Sequence, residues 1–284
     1  PGPWGVGKAL HRAKDCGEGA AMKLGVFQPS FGGLLPDDRI GRLGEVIAGA
    51  GLDLVVCPEL FLSGYDVVED LRRFAEPAGG PKFEAIAELA RTHQTAIVYG
   101  YPELEDDALF NSAACLGPDG QLMANHRKRA NSPGSFEEDY FTPGAAPSVF
   151  DYAGLRVAVL ICYEVEFPET VRQAAQAGAH LVVVPTALVD QWDVVASRVV
   201  PARAFENGVW VAYCNHAGQE GSCVYLGGSR IVGPDGREAA VAGREEALIV
   251  ADVVRGRVAA AQKRLPYLRD CGRFKTGSTS SSGG

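Results

Sequence analysis

Three stretches in the middle of the chain, RVAVLICYE (156–164), HLVVVPT (180–186) and VWVAYCN (209–215), are apolar at nearly every position instead of every second one. A strand of that composition has no face to give to water and must be covered on both sides, as in the interior of an α/β sheet. MKLGVFQ (22–28), LDLVVCPE (52–59) and TAIVYGYPE (95–103) read as further strands. Helical stretches fall around 37–50, 81–93, 168–178 and 191–206. The alternation of strand and helix predicts an α/β fold with a mixed sheet.

Two hairpins complete the scheme. GPDG occurs at 117–120, between NSAACL and QLMANHRK, and again at 233–236, between GGSRIV and REAAVAG. Proline presets the backbone of such a turn and glycine accepts positive φ. The flanking runs of the two hairpins do not match, so the sequence gives no sign of a repeat. A last strand, EALIVADV, covers 246–253. No linker interrupts residues 22–265, which predicts a single domain. Residues 1–21 are expected to lie upstream of a natural start at Met22 and outside the fold. Residues 266–284 are expected to form a C-terminal extension, flexible at its GSTSSSGG end.

Of the 284 residues 46% are hydrophobic, which is ample for a buried core. The net charge of −8 and the lack of a dense Lys/Arg cluster argue against nucleic acid as a partner. No apolar run approaches the roughly 20 residues of a membrane helix. The seven cysteines are odd in number, widely spaced and without a CxxC pair, the usage of a reducing, cytoplasmic setting instead of a disulfide or zinc scaffold.

Four polar segments stand at the ends of strands. CPELFLSGY (57–65) offers Glu59, NHRKRAN (125–131) offers Lys128, SFEEDYFTPG (135–144) offers two glutamates, and VLICYEVEFPE (159–169) offers Cys162. Alone, each admits a plain reading: a surface carboxylate, a solvated basic turn, an acidic loop, a packed thiol. Together, in this order, they resemble the motifs of the nitrilase, or carbon-nitrogen hydrolase, superfamily, over about residues 22–265. VVVPTA (182–187), ARAFENGVW (202–210) and GGSRIVGPDG (227–236) resemble further family segments. Two departures, Gly228 for a frequent His and Phe205 for a frequent Ile, are read as outside the chemistry.

The resemblance implies a four-layer αββα sandwich and hydrolysis of an amide or nitrile through a thioester, with no cofactor and no metal. Cys162 would be the nucleophile and Glu59 its general base. Lys128 would stabilise the thiolate and then the oxyanion, with the backbone N–H of Tyr163 as second donor. The family pattern selects Glu137 over Glu138 as the residue that orients Lys128 and the substrate. Tyr163 directly after the cysteine favours an amide over a nitrile. Branches that take acidic substrates place arginine where this chain has Val165 and Glu166, so a neutral or cationic carboxamide is expected. Phe167 and Trp192 are candidates for an apolar pocket wall, and helix packing is an equal reading of Trp192. The family's habits also imply a homo-oligomer, with about 254–272 reaching toward a partner. A nitrilase, an N-carbamoyl amine hydrolase and a non-catalytic module of the same fold are the alternatives.

Overall fold

The computed structural model describes residues 5–6 and 21–274. Most of the segment before Met22 and the GSTSSSGG tail lie outside the described residues. In chain order the strands are β1 (Gly5–Val6), β2 (Ala21–Gln28), β3 (Leu54–Val56), β4 (Ala96–Glu105), β5 (Ala108–Leu116), β6 (Leu122–Arg127), β7 (Ser148–Tyr152) and β8 (Leu155–Val159). After them come β9 (Leu181–Pro185), β10 (Trp210–Cys214), β11 (Gln219–Glu220), β12 (Cys223–Val224), β13 (Arg230–Val232), β14 (Glu238–Val241) and β15 (Ala247–Val254). Two of the residues expected outside the fold, Gly5 and Val6, pair in parallel with Ser148 and Val149.

The strands form two mixed sheets, ordered β15-β2-β3-β4-β5-β6 and β1-β7-β8-β9-β10-β13-β14. Each has three parallel strands at its centre, β2-β3-β4 in one and β8-β9-β10 in the other. Each continues into two antiparallel strands joined by a Gly-Pro-Asp-Gly turn, closed by Gly120 N–H to Gly117 O (2.8 Å) and by Gly236 N–H to Gly233 O (2.9 Å). The hairpins that share no flanking sequence therefore occupy equivalent places in two topologically similar halves. Strand pairing is set by backbone and burial pattern, which different side chains can satisfy equally.

The central strands are buried on both faces, as their composition requires. Leu24, Val26, Leu54, Val56 and Val98 of one sheet meet Val157, Val159, Leu181, Val183 and Ala212 of the other in a core between the sheets. Opposite residues of the first sheet, including Val55, Ile97 and Tyr99, pack under helices α1 (Pro36–Ile47) and, beyond the short α2 (Leu71–Phe74), α3 (Pro81–His93). Val182, Val184 and Val211 of the second sheet pack under α5 (Pro168–Gln176) and α6 (Val200–Asn207), which follow the short α4 (Glu137–Tyr140). Helix, sheet, sheet, helix is the four-layer αββα sandwich. Helices α1, α3 and α5 each open on a proline, whose missing N–H would have had no partner there.

The C-terminal part folds back on its own chain. Helix α7 (Arg255–Arg264) buries Val258 in the core between the sheets and lays Arg257 over the Trp210 ring at 4.6 Å. Helix α8 (Tyr267–Asp270) sets Tyr267 edge-on against Phe205 of α6, with ring centres 5.9 Å apart.

Candidate active site

Glu59, Lys128 and Cys162 follow breaks in β3, β6 and β8, whereas Glu137, expected at a strand end, stands on the short helix α4. Strand β3 stops at Val56, and the chain crosses over β4, where Gly100 N–H donates to Pro58 O (3.1 Å) and Leu62 N–H to Gly100 O (3.2 Å). A Cβ on Gly100 would lie 2.4 Å from Leu60 N, so only glycine admits this crossing. It turns the Glu59 side chain inward, where it is fully buried. Lys128 follows β6 and is tied by its own N–H to Asn111 O (2.8 Å), while its carbonyl accepts from Gly144 N–H (2.8 Å). Here too a side chain is excluded, since a Cβ on Gly144 would meet Arg127 O at 2.3 Å.

Cys162 opens a 3-10 helix, Cys162–Glu166, three residues beyond the end of β8, and its φ of +48° is a left-handed conformation that non-glycine residues adopt at a cost. The apolar run of 156–164 is thus a shorter strand followed by a turn of helix. Glu164 holds this turn in place. Its carboxylate reaches back to Ile161 N–H (2.8 Å) and accepts from His126 Nε2 (2.8 Å) and Arg129 Nε (3.0 Å). One buried carboxylate thereby joins the residue before the cysteine to both flanks of Lys128. Burial alone would raise the Glu164 pKa, but His126, the Ile161 N–H and Arg129 outweigh it and bring it to about 2.

The predicted residues converge. Lys128 Nζ lies 2.8 Å from Glu59 Oε1 and 2.6 Å from Glu137 Oε2, and all three side chains are fully buried. Asn111 Nδ2 donates to Glu59 Oε1 (2.7 Å), and Tyr65 OH donates to Glu137 Oε1 (2.6 Å). Glu138 is exposed and accepts from Gly134 N–H (2.8 Å), so of the two adjacent glutamates it is Glu137 that reaches Lys128. Glu59 Oε2 is buried without a hydrogen-bond partner. Burial raises the Glu59 pKa, with Glu137 adding to it and Lys128 and Asn111 opposing. Burial likewise pushes the Cys162 thiol up, reinforced by Glu59 and opposed by Lys128 and by a hydrogen bond from the Thr186 hydroxyl. For Lys128, burial disfavours the charge, but Glu59, Cys162 and Glu137 together hold it protonated. The result is a buried ammonium shared by two carboxylates beside a neutral thiol.

Above Cys162 opens a cavity of about 410 Å³, lined by Cys162, Tyr163, Glu166, Tyr65, the Ser132–Ser135 loop, Ala187–Val189 and Trp192. Val165 is not part of it. It is fully buried in the core under α5 and α6, because a 3-10 helix with three residues per turn puts Tyr163 and Glu166 on one face and turns Val165 away. Phe167 also stays out of the cavity and packs edge-on against Tyr163, ring centres 4.9 Å apart. Gly228 and Phe205 lie outside the lining as well. Sequence reasoning did not name Tyr65, Asn111, Thr186 or Glu164. Tyr65 closes CPELFLSGY, Thr186 stands in VVVPTA and Glu164 in VLICYEVEFPE, so all three sat inside segments already singled out.

Residues 24–263 match the family model described as carbon-nitrogen hydrolase, and the chain belongs to that family, within the nitrilase superfamily. It is 40% identical over 253 residues, 88% of each chain, to a Pseudomonas protegens protein called "Hydrolase in pqqF 5'region". It is 34% identical over 219 residues to an (R)-stereoselective amidase of Pseudomonas sp., covering 77% of this chain and 79% of that one. Among solved structures, a double mutant of the amidase from Nesterenkonia sp. AN1 in complex with acrylamide superposes with a TM-score of 0.76 at 30% identity, over 92% of this chain and 96% of the other.

Proposed function

We propose that this carbon-nitrogen hydrolase is a cysteine-dependent amidase that converts small neutral or cationic aliphatic or cyclic carboxamides to carboxylic acid and ammonia through a thioester. The observation that carries the proposal is the buried Lys128 bridging Glu59 and Glu137 while Glu59 Oε2 stays unpaired, a free acceptor in the neighbourhood of the thiol.

In the first step Glu59 takes the thiol proton as Cys162 Sγ attacks the amide carbon. The thiolate charge, unfavourable in so buried a place, passes at once to the carbonyl oxygen. Lys128 and the backbone N–H of Tyr163, in the opening turn of the 3-10 helix, receive that oxyanion. Glu59 returns the proton to the amide nitrogen, the C–N bond breaks and ammonia leaves. A water deprotonated by Glu59 then adds to the thioester carbon, and collapse of that intermediate breaks the C–S bond, releasing the acid as Glu59 returns the proton to Cys162 Sγ. Glu137, held by Tyr65, keeps Lys128 in register throughout.

The amide specificity is supported by Tyr163 after the nucleophile and by the amidase names and the acrylamide ligand among the similar proteins. Each of the six cysteines among the described residues is free, which supports a reducing compartment such as the cytoplasm. No described helix is long and apolar enough to cross a membrane. Association as a homodimer or higher even assembly rests on the family resemblance.

A panel of propionamide, glutaramate, carbamoyl-putrescine and propionitrile with ammonia detection tests the proposal. Ammonia from propionamide without carbon dioxide, and none from propionitrile, is the expected outcome. Preferred turnover of the nitrile or of the carbamoyl compound would replace it with one of the alternatives. No turnover, with iodoacetamide labelling Cys162 no faster than other thiols, would point to a non-catalytic module.

A further inference from the structure

Glu166 is the one charged side chain among the described residues that line the cavity. Its carboxylate takes part in no hydrogen bond or ion pair among those residues, while the cations whose charge reaches it are engaged elsewhere. Arg203 directs Nε to Val165 O (3.0 Å), Nη2 to the backbone oxygen of Glu166 (2.5 Å) and Nη1 to Glu206 (3.0 Å). Lys128 is held by Glu59 and Glu137. Arg203 thus fixes the backbone on which Glu166 stands and leaves its carboxylate open.

A half-buried carboxylate without a partner does not help the fold, since it gives up hydration without gaining a contact. Burial raises its pKa against Lys128 and Arg203, as expected of a group that lacks a counterion of its own. A cationic ligand would supply one. Tyr163 shares the cavity face of the 3-10 helix with Glu166, and the Trp192 ring stands exposed at the same cavity, so aromatic surface flanks the carboxylate. At about 2.0 Å rise per residue, Cys162 and Glu166 stand roughly 8 Å apart along the helix. A short alkyl chain spans from an amide carbonyl at the sulfur to an ammonium at the carboxylate.

We propose that Glu166 forms an ammonium subsite and that the cavity takes amino amides, carboxamides whose protonated amine is set off from the carbonyl by a short carbon chain. This rests on the amidase reading and narrows it. An anionic substrate of the same length would be repelled by the group that binds the amine.

The test compares kcat/KM for 4-aminobutanamide, its neutral isostere pentanamide and anionic succinamate. Native enzyme is expected to prefer the amino amide over pentanamide by at least about tenfold and to turn over succinamate least. In Glu166→Gln, with folding checked by circular dichroism, that preference is expected to collapse toward unity, the loss appearing in KM for the amino amide. A measurement on native enzyme alone decides the matter if the variant does not fold: pentylammonium should inhibit competitively at about tenfold lower concentration than pentanol. Hydrolysis of pentanamide with no preference for the amine, or a preference unchanged in Glu166→Gln, overturns the ammonium subsite and leaves the amidase standing. Ammonia from none of the three amides overturns both.

Discussion

Lys128 Nζ lies 2.8 Å from Glu59 Oε1, and neither side chain is exposed to solvent. With Glu137 on its other side, the ammonium is shared between two buried acidic side chains. Such a cluster is expensive to bury and is better explained by chemistry than by stability.

Lys128→Met keeps the length and removes the charge. It is expected to lower stability by about 3–5 kcal/mol, because two carboxylates lose their buried counterion, and to lower kcat by roughly 10²-fold or more. Mild acid should recover part of the lost stability, since protonation removes the uncompensated charges. Thermal melting of variant and native protein from pH 7 to 5 checks this; a variant as stable as native at pH 7 would contradict it.

Tyr65→Phe removes the hydroxyl that donates to Glu137 Oε1 at 2.6 Å while keeping the ring that lines the cavity. The expected loss is about tenfold in kcat with KM little changed, as one hydrogen bond to a charged group would give. Steady-state kinetics on propionamide separates the two parameters; a rise in KM alone would assign Tyr65 to substrate binding.

Glu164 lies outside the cavity lining and touches the residue before Cys162 and both flanks of Lys128, which predicts a positioning role. Glu164→Gln keeps one oxygen for the Ile161 N–H but weakens the bonds from His126 and Arg129. A fall in kcat with slower alkylation of Cys162 by iodoacetamide is expected, with Glu164→Asp recovering part of it. Full activity in the glutamine variant would show that the link between nucleophile and lysine loop is not needed.

The stability should also carry a signature of His216. Its Nε2 donates to the carbonyl oxygen of Glu59 at 2.7 Å, and burial lowers its pKa from 6.5 to about 4. The unfolded chain takes up this proton below about pH 6.5 while the folded protein does not, so stability is lost as pH falls from 6.5 toward 4. The melting temperature should decline across that window, less steeply in His216→Gln. Parallel profiles would remove the histidine from the explanation.

Much of this was readable in the chain. Strand runs apolar on both faces dictated covered sheets, and Glu59 and Cys162 stood where such a run breaks into polar sequence, whereas Lys128 follows the half-polar β6 and Glu137 lies on a short helix. Register along the 3-10 turn was not readable. Val165 and Glu166 are neighbours in sequence, and only the turn after β8, with Ile161 tied to Glu164, separates a core valine from a cavity carboxylate. Contacts between distant segments, such as Tyr65 to Glu137 or Asn111 to Glu59, have no local pattern because the sheets bring them together. The equivalence of the two halves stayed hidden for the same reason, since it lies in strand order.

Every step of the proposed reaction depends on Cys162 as the nucleophile. Ammonia release from propionamide by Cys162→Ala, with native circular dichroism and melting behaviour, tests it most directly. The expected result is release at the background rate of buffer alone. Measurable turnover by a correctly folded alanine variant would contradict it.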